Sequence, residues 1–309
     1  MLSSSVTPAA KRVALRRALS GSELLTFPGA FTPLTARLIE RKGFDGVYLS
    51  GAVMANELGL PDIGLTTLSE VAERSAQVAR NTDLPVLVDA DTGFGEPMNV
   101  ARTVQTLEDA GVAALHIEDQ VNPKRCGHLD GKQVVDEATA VGRIRAAVEA
   151  RRDPGLVVMA RTDVRGLDPS DAGLTACIDR CRALVDAGAD AVFPEALTSL
   201  SEFAAVCEAL DVPVLANMTE FGKSALFSHD QLRDAGVSVV IHPVSLLRIA
   251  MGAIDRSLDV LRHDGSLESV VPEMQTRAAL YDLVDYPGYA QFDGDVYDFT
   301  LSTDQGASS

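Results

Sequence analysis

Short β-branched runs recur along the chain, and segments with helical spacing lie between them. This alternation predicts βα units around a parallel sheet. Strands are expected at Leu24–Ala30, Gly46–Ser50, Pro85–Asp89, Ala114–Glu118, Leu156–Arg161, Ala191–Glu195, Val212–Asn217 and Val237–His242. Between them apolar residues share one helical face, as at Val141, Ile144 and Val148 or at Leu174, Ile178 and Cys181. Gly43, Gly111, Gly188 and Gly236 sit just ahead of strands, where a helix must end in the left-handed conformation. Eight such units predict an α/β fold, a TIM-type (β/α)8 barrel. The expected layout is a single domain over residues 1–309, with a first helix at about 8–20, the barrel over about 24–262, and C-terminal helices and tail over 263–309. Beyond the eighth strand, 244–261 and 267–284 read as further helices, the last expected to pack on, or swap with, a neighbouring subunit.

The composition, 46% apolar and 23% charged, supplies a large core and excludes disorder, collagen and coiled coil. The longest apolar runs, such as Leu84–Val88, are of strand length, far from the roughly 18 residues that span a bilayer. With 44 acidic against 27 basic side chains the formal net charge is −17, which repels phosphate backbones and anionic headgroups. Nucleic-acid and membrane partners are therefore not expected, and an anionic substrate demands a local pocket of positive charge. Near the N-terminus, Lys11, Arg12, Arg16 and Arg17 precede the first acid, Glu23. They are expected on a basic helix at the barrel surface of a cytoplasmic protein; transit peptides share this composition, so the mitochondrial matrix is the alternative. Cys126, Cys177, Cys181 and Cys207 form no CxxC pair and are expected as reduced thiols, the last three buried on helices and Cys126 in a polar loop.

In a barrel, the residues that end the strands face the active site. Here those ends are polar: Tyr48-Leu49-Ser50-Gly51, Asp89-Ala90-Asp91, His116-Ile117-Glu118, Arg161-Thr162-Asp163, Glu195, Asn217 and His242. Asp89 and Asp91 lie two apart with Glu118 on the next strand, an oxygen-only set suited to a hard divalent cation such as Mg2+. Asp163 is expected to cap the helix that follows it. The loop Asn122–Lys132 surrounds Cys126 with Lys124, Arg125, His128 and Lys132, which favour a reactive thiol, and Gly127 and Gly131 allow it to move. Arg161, Arg248 and Arg277 are candidates to hold carboxylates. His116 and His242 are expected as hydrogen-bonded core residues. None of the five lysines falls on a predicted strand, so carbon–carbon cleavage, if that is the chemistry, would use a metal rather than a Schiff base. No GxGxxG follows a strand and no P-loop is present, so neither dinucleotide nor ATP use is expected.

Lys124-Arg125-Cys126-Gly127-His128, with His116–Gln120 and Val88–Gly95, resembles the isocitrate lyase and phosphoenolpyruvate mutase superfamily, and within it the methylisocitrate-cleaving branch. The likeness runs from about Lys11 to Tyr286. It implies reversible cleavage of a small tricarboxylate, 2-methylisocitrate, to pyruvate and succinate in the methylcitrate cycle of propionate catabolism, by a homotetramer. It further implies that Asp89 and Asp91 hold Mg2+ (Mn2+ as substitute), with Glu118 helping through water. Ser50, Gly51 and Ala52 would bind the pyruvate-like end, and Arg161 its carboxylate or oxyanion, with Glu195 completing that shell. Asn217, Met218, Thr219, Arg248 and Arg277 would hold the succinate-like part, with Gly127 and His128 contributing from the loop. Cys126 would be the general acid on a closing lid, and Tyr48 or Glu118 the base. Two stretches depart from the branch: Gly51-Ala52-Val53 replaces a glycine-rich run, and Leu129-Asp130-Gly131-Lys132 is closer to the isocitrate lyase form. Isocitrate is therefore the alternative substrate, and phosphonate mutase or oxaloacetate decarboxylase the alternative chemistry. A barrel without activity is disfavoured, because every expected group is present.

Overall fold

A computed structural model describes residues 4–125, 127, 131–222 and 224–297. The chain divides into a unit over Ser4–Arg256 and a second beginning at Ser257. In the first, the strands are β1 (Leu25–Pro28), β2 (Val47–Leu49), β3 (Val86–Asp89), β4 (Ala114–Glu118), β5 (Val157–Thr162), β6 (Ala191–Pro194), β7 (Leu215–Asn217) and β8 (Val239–His242). Each coincides with an expected run: β4 matches it residue for residue, β5 is shifted one residue toward the C-terminus, and the others are shorter by one to three residues. The helices are α1 (Pro8–Leu19), α2 (Pro33–Arg41), α3 (Gly51–Glu57), α4 (Leu68–Ala79), α5 (Pro97–Asp109), α6 (Glu137–Ala150), α7 (Asp171–Asp186), α8 (Leu200–Glu208), α9 (His229–Asp234) and α10 (Ser245–Asp264), the last running on into the second unit.

All strand pairs are parallel. β2 to β6 follow in sequence order, and β7, β8 and β1 form the remaining arc. Single parallel bridges, Gly29↔Tyr48 and Val192↔Val214, join the arcs, so the eight strands close into the expected barrel. Local chemistry sets the helix ends. Thr32, Thr67, Asp136, Ser170, Ser199 and Ser228 cap N-termini through their side chains, and Gly43, Gly111, Gly188 and Gly236 take φ values of 77 to 103° just past helix ends. Cys177 and Cys181 are buried free thiols on α7, and Cys207 is a half-buried one on α8.

The first helix differs from its expectation as a surface element. Leu15 packs with Leu25, Phe27, Val157 and Val239, so α1 plugs the N-terminal end of the barrel. Three of its four basic residues, Lys11, Arg12 and Arg16, reach backbone carbonyls, and Arg17 is exposed. Lys11 donates to Ala79 O and Thr82 O at 2.8 and 2.5 Å, and Arg12 donates to Val112 O, Glu108 O and Asp153 at 2.7 to 2.9 Å. Cations here meet the negative ends of α4 and α5, where carbonyls lack intrahelical partners.

In the second unit, the helix expected over 267–284 is broken. Residues Glu268–Glu273 form a 3-10 turn holding Pro272, which cannot donate a helical hydrogen bond, and Thr276 restarts the chain as cap of α11 (Arg277–Leu283). α12 (Tyr286–Tyr297) follows, with the Tyr281 and Tyr286 rings stacked at 4.9 Å. No helix among the described residues is long and apolar enough to cross a membrane.

Arg12→Ala removes one guanidinium and with it the donors to the Val112 and Glu108 carbonyls and to Asp153 Oδ2. The expected loss is about 3 kcal/mol of unfolding free energy, read by denaturant titration.

Candidate active site

Strand alternation decides which side chains meet at the mouth. Leu25, Phe27, Tyr48, Leu87, Ala114, Met159, Ala191, Phe193, Leu215 and Ile241 form the barrel's inner cluster. Side chains two residues further along a strand share the same face. Asp89 therefore follows Leu87, His116 and Glu118 follow Ala114, Arg161 follows Met159, Glu195 follows Phe193, and Asn217 follows Leu215. The files that supply the apolar core below supply the charges above it.

Arg161 lies at their centre. Its Nε is 3.2 Å from Glu118 Oε2 and 3.0 Å from Asp163 Oδ2, and its Nη2 is 3.3 Å from Glu195 Oε2. Its Cζ stands 5.0 Å over the Phe193 ring. Burial alone would lower its pKa, but the fields of Asp163, Glu118, Glu195 and Asp89 hold it well above the usual value. Glu118 behaves in the opposite sense. Burial pushes its carboxyl well above the ordinary range although Arg161 and Lys124 oppose this. Its Oε1 is buried without a hydrogen bond. Asp163 does not cap the 3-10 turn at Val164–Gly166; its carboxylate is drawn inward by Arg161 and Lys132.

Asp89 and Asp91 converge at the start of α3. The Gly51 and Asp91 amides each donate to Asp89 at 3.0 Å. A Cβ on Gly51 would stand 2.9 Å from Asp89 Oδ2 and 3.1 Å from Asp91 Oδ1, so the approach of both carboxylates requires glycine. Asp91 adopts φ 47°, a conformation that aspartate tolerates better than most side chains. Lys124 reaches in from the loop, its Nζ 2.7 Å from Asp91 Oδ1 and 2.5 Å from Asp62 Oδ1. Burial raises the Asp91 carboxyl to about 6 against the pull of Lys124. Burial acts on Asp89 as well, but His116, Lys124 and Arg161 outweigh it and hold that carboxyl at about 2.

Tyr48 Oη and His116 Nε2 are 2.8 Å apart, both side chains buried. Burial lowers the imidazole to about 4 and raises the phenol well above its usual value, so at neutral pH they form an uncharged pair. His116 Nδ1 faces Asp89 Oδ1 at 3.8 Å. Of the two candidate bases, Tyr48 lines the cleft and Glu118 does not.

A cleft of about 810 Å³ opens over these groups. Its walls include Ser50, Ala52, Asp89, Lys124, Gly127, Glu195, Asn217, Thr219 and Arg248, together with Tyr48 and Arg161. Gly127 packs so closely that a Cβ there would fall onto Arg161 and Glu195. Asn217 donates to Glu195 Oε2 at 3.2 Å, and Arg248 donates to Thr219 Oγ1 at 3.2 Å. Met218 is not brought to this cleft: one residue after Asn217 it takes the opposite face and packs with Val214, Ala216 and Val240. Arg277 belongs to the C-terminal unit, where it opens α11 and is exposed. Cys126 and His128 lie outside the described residues. Sequence reasoning missed Asp62, which carries no motif, and the structural use of Lys124 and Lys132. Their concentration in one loop, two of only five lysines, was the available signal.

Among the described residues no three His, Cys, Asp or Glu side chains form a ready-made metal cage. Glu118, expected to help a cation through water, has its Oε2 engaged by Arg161 at 3.2 Å. The Asp89–Asp91 pair nonetheless fits a hard divalent ion. Such ions keep several waters and need only one or two protein carboxylates, and the Lys124 ammonium already seats a cation 2.7 Å from the buried Asp91 Oδ1.

A closed parallel barrel with a buried arginine, paired carboxylates and an overlying loop at its C-terminal face defines a (β/α)8-barrel enzyme. The chain belongs to the phosphoenolpyruvate phosphomutase family, whose model matches residues 15–261. It is 56% identical, over 98% of this chain and 97% of the other, to a probable 2-methylisocitrate lyase 2 of Corynebacterium glutamicum. To the 2-methylisocitrate lyase of Salmonella typhimurium it is 46% identical, over 88% of this chain and 92% of the other. The crystal structure of 2,3-dimethylmalate lyase, a member of the phosphoenolpyruvate mutase/isocitrate lyase superfamily, superposes with a TM-score of 0.85 at 35% identity, covering 98% and 99% of the two chains.

Gly51→Ala is expected to push Asp89 and Asp91 apart. Mn2+ affinity, measured by electron paramagnetic resonance, should fall about tenfold, a loss of about 1.4 kcal/mol, with the melting temperature little changed.

Proposed function

We propose that this chain is a divalent-metal-dependent carbon–carbon lyase that cleaves 2-methylisocitrate to pyruvate and succinate. The observation that carries this reading is the meeting, in one cleft, of the Asp89 carboxylate, the Tyr48 hydroxyl and the Arg161 guanidinium, with Asp91 behind Asp89 and donating its amide to it. High identity to curated 2-methylisocitrate lyases over nearly the whole chain supports the choice of substrate.

Asp89 and Asp91 would hold the cation, Mg2+ or Mn2+, with Glu118 helping through water. When bound, the cation supplies a Lewis acid for the hydroxyl and carboxylate oxygens of the substrate. Arg161 takes the carboxylate beside the hydroxyl through paired hydrogen bonds, and Glu195 fixes its plane. Ser50, Gly51 and Ala52 face the carbon that becomes the pyruvate methyl end. Asn217, Thr219 and Arg248 hold the two carboxylates that leave as succinate. Tyr48 accepts the hydroxyl proton as its own passes to His116 Nε2, with His116 carrying its resting proton on Nδ1 toward Asp89. The bond between the hydroxyl-bearing carbon and its neighbour then breaks. Its electron pair stays on the succinate fragment, and Cys126, next to the packed Gly127, protonates that carbon. Closure of the loop keeps water from the carbanion.

The same reading places the enzyme in the cytoplasm as a homotetramer. Ile249, Met251 and Ile254 on α10 are exposed, as are Leu258, Val271, Tyr286, Phe292 and Val296 in the C-terminal unit, and such apolar surface suits contact with further subunits.

With Mg2+ present, 2-methylisocitrate should release pyruvate faster than isocitrate releases glyoxylate, each trapped as its phenylhydrazone and identified. Faster glyoxylate release would make the chain an isocitrate lyase. Cys126→Ser should lose about 1000-fold in kcat with Mn2+ binding intact, and near-normal turnover would remove the general-acid assignment.

A further inference from the structure

The loop after β4 leaves the barrel and returns at one place. Val121 N donates to Gln133 O and Val135 N to Asp119 O, both at 2.8 Å, and Gln120 pairs with Val134. Lys132 lies just inside this closure. Its ammonium donates 2.7 Å to Asp163 Oδ1 on the barrel and 2.5 Å to Gly127 O on the loop. The two charged side chains are 2% and 0% exposed. A buried ion pair costs desolvation at both ends, which is offset only when the geometry and additional hydrogen bonds are good. Here the additional bond goes to the loop backbone, so one ammonium ties the loop to the barrel floor.

Two glycines make room for the tie. A Cβ on Gly166 would fall onto the end of the Lys132 side chain, and one on Gly127 would fall onto Arg161 and Glu195. Neither has a positive φ, so space and not backbone conformation demands glycine at both. Asp163 also accepts from Arg161 Nε and Nη2 at 3.0 and 3.3 Å. One carboxylate therefore holds both the loop's lysine and the cleft's arginine.

We propose that Lys132 is a positioning residue for the lyase reaction, a latch that pins Gly127 against Arg161 and Glu195 through Asp163. The proposal rests on reading this cleft as a lyase site. Lys132 touches no reacting atom; it sets where the loop sits when the chemical step occurs. Its loss accordingly acts on kcat more than on KM, because the carboxylate-binding groups Arg161, Asn217 and Arg248 stay in place.

The test uses the full chain carrying Lys132→Met and, separately, Gly166→Ala, which crowds the ammonium while leaving the lysine present. Each variant should lower kcat about 100-fold with little change in KM, and should speed amide hydrogen exchange in residues 121–133 while exchange in the barrel strands stays as in the parent. In Lys132→Ala, added propylammonium should restore part of kcat, an effect that a purely structural pair would not give. Unchanged exchange over 121–133 in both folded variants, or a kcat within twofold of the parent, would overturn the latch. Failure of the parent chain to cleave 2-methylisocitrate would instead overturn the lyase reading, and the exchange comparison would still decide whether Lys132 holds the loop.

Discussion

The guanidinium of Arg161 is the charge on which the mouth of this barrel depends. Glu118, Asp163 and Glu195 converge on it with side chains no more than 2% exposed. An unpaired buried carboxylate costs several kcal/mol, and three together would protonate or separate. A single planar fork with five donors engages all three, and the aromatic face of Phe193 supports it from the side. Lysine could not replace it, since one ammonium cannot meet three carboxylates in a plane.

Around that centre the remaining charges are distributed by position. Lys124 serves Asp62 and Asp91, and Lys132 serves Asp163, so in a protein of net charge −17 two cations from one loop offset carboxylates buried at the mouth. Asp163 is the shared point, accepting from Arg161 at the mouth and from Lys132 on the loop.

The barrel was legible because its signal is local and repeated. Each strand run, the turn glycines at 43, 111, 188 and 236, and the inward parity that lines up Asp89, Glu118, Arg161 and Glu195 can be read from spacing alone. What could not be read depended on long-range partners. Asp163 looks like a helix cap until Arg161 and Lys132 are seen beside it, and the basic α1 looks like surface until its cations meet carbonyls more than 60 residues away. Met218 was carried into the site with its neighbours by resemblance, although strand alternation turns it to the other face. The break in the expected helix over 267–284 was visible in Pro272, whose weight against the flanking helical pattern only the folded chain decides.

The most direct test of the central claim is the unfolding free energy of Arg161→Met as a function of pH. The account predicts a loss of about 4 kcal/mol at neutral pH, since Glu118, Asp163 and Glu195 lose their common partner. It also predicts that the loss shrinks as pH falls. In the parent, against burial, Arg161 holds the Asp163 carboxyl below its ordinary value, a contribution present above the unfolded pKa and lost as pH falls through the folded one, so the variant's deficit narrows in acid. A variant as stable as the parent at neutral pH, or a loss independent of pH, would contradict the account.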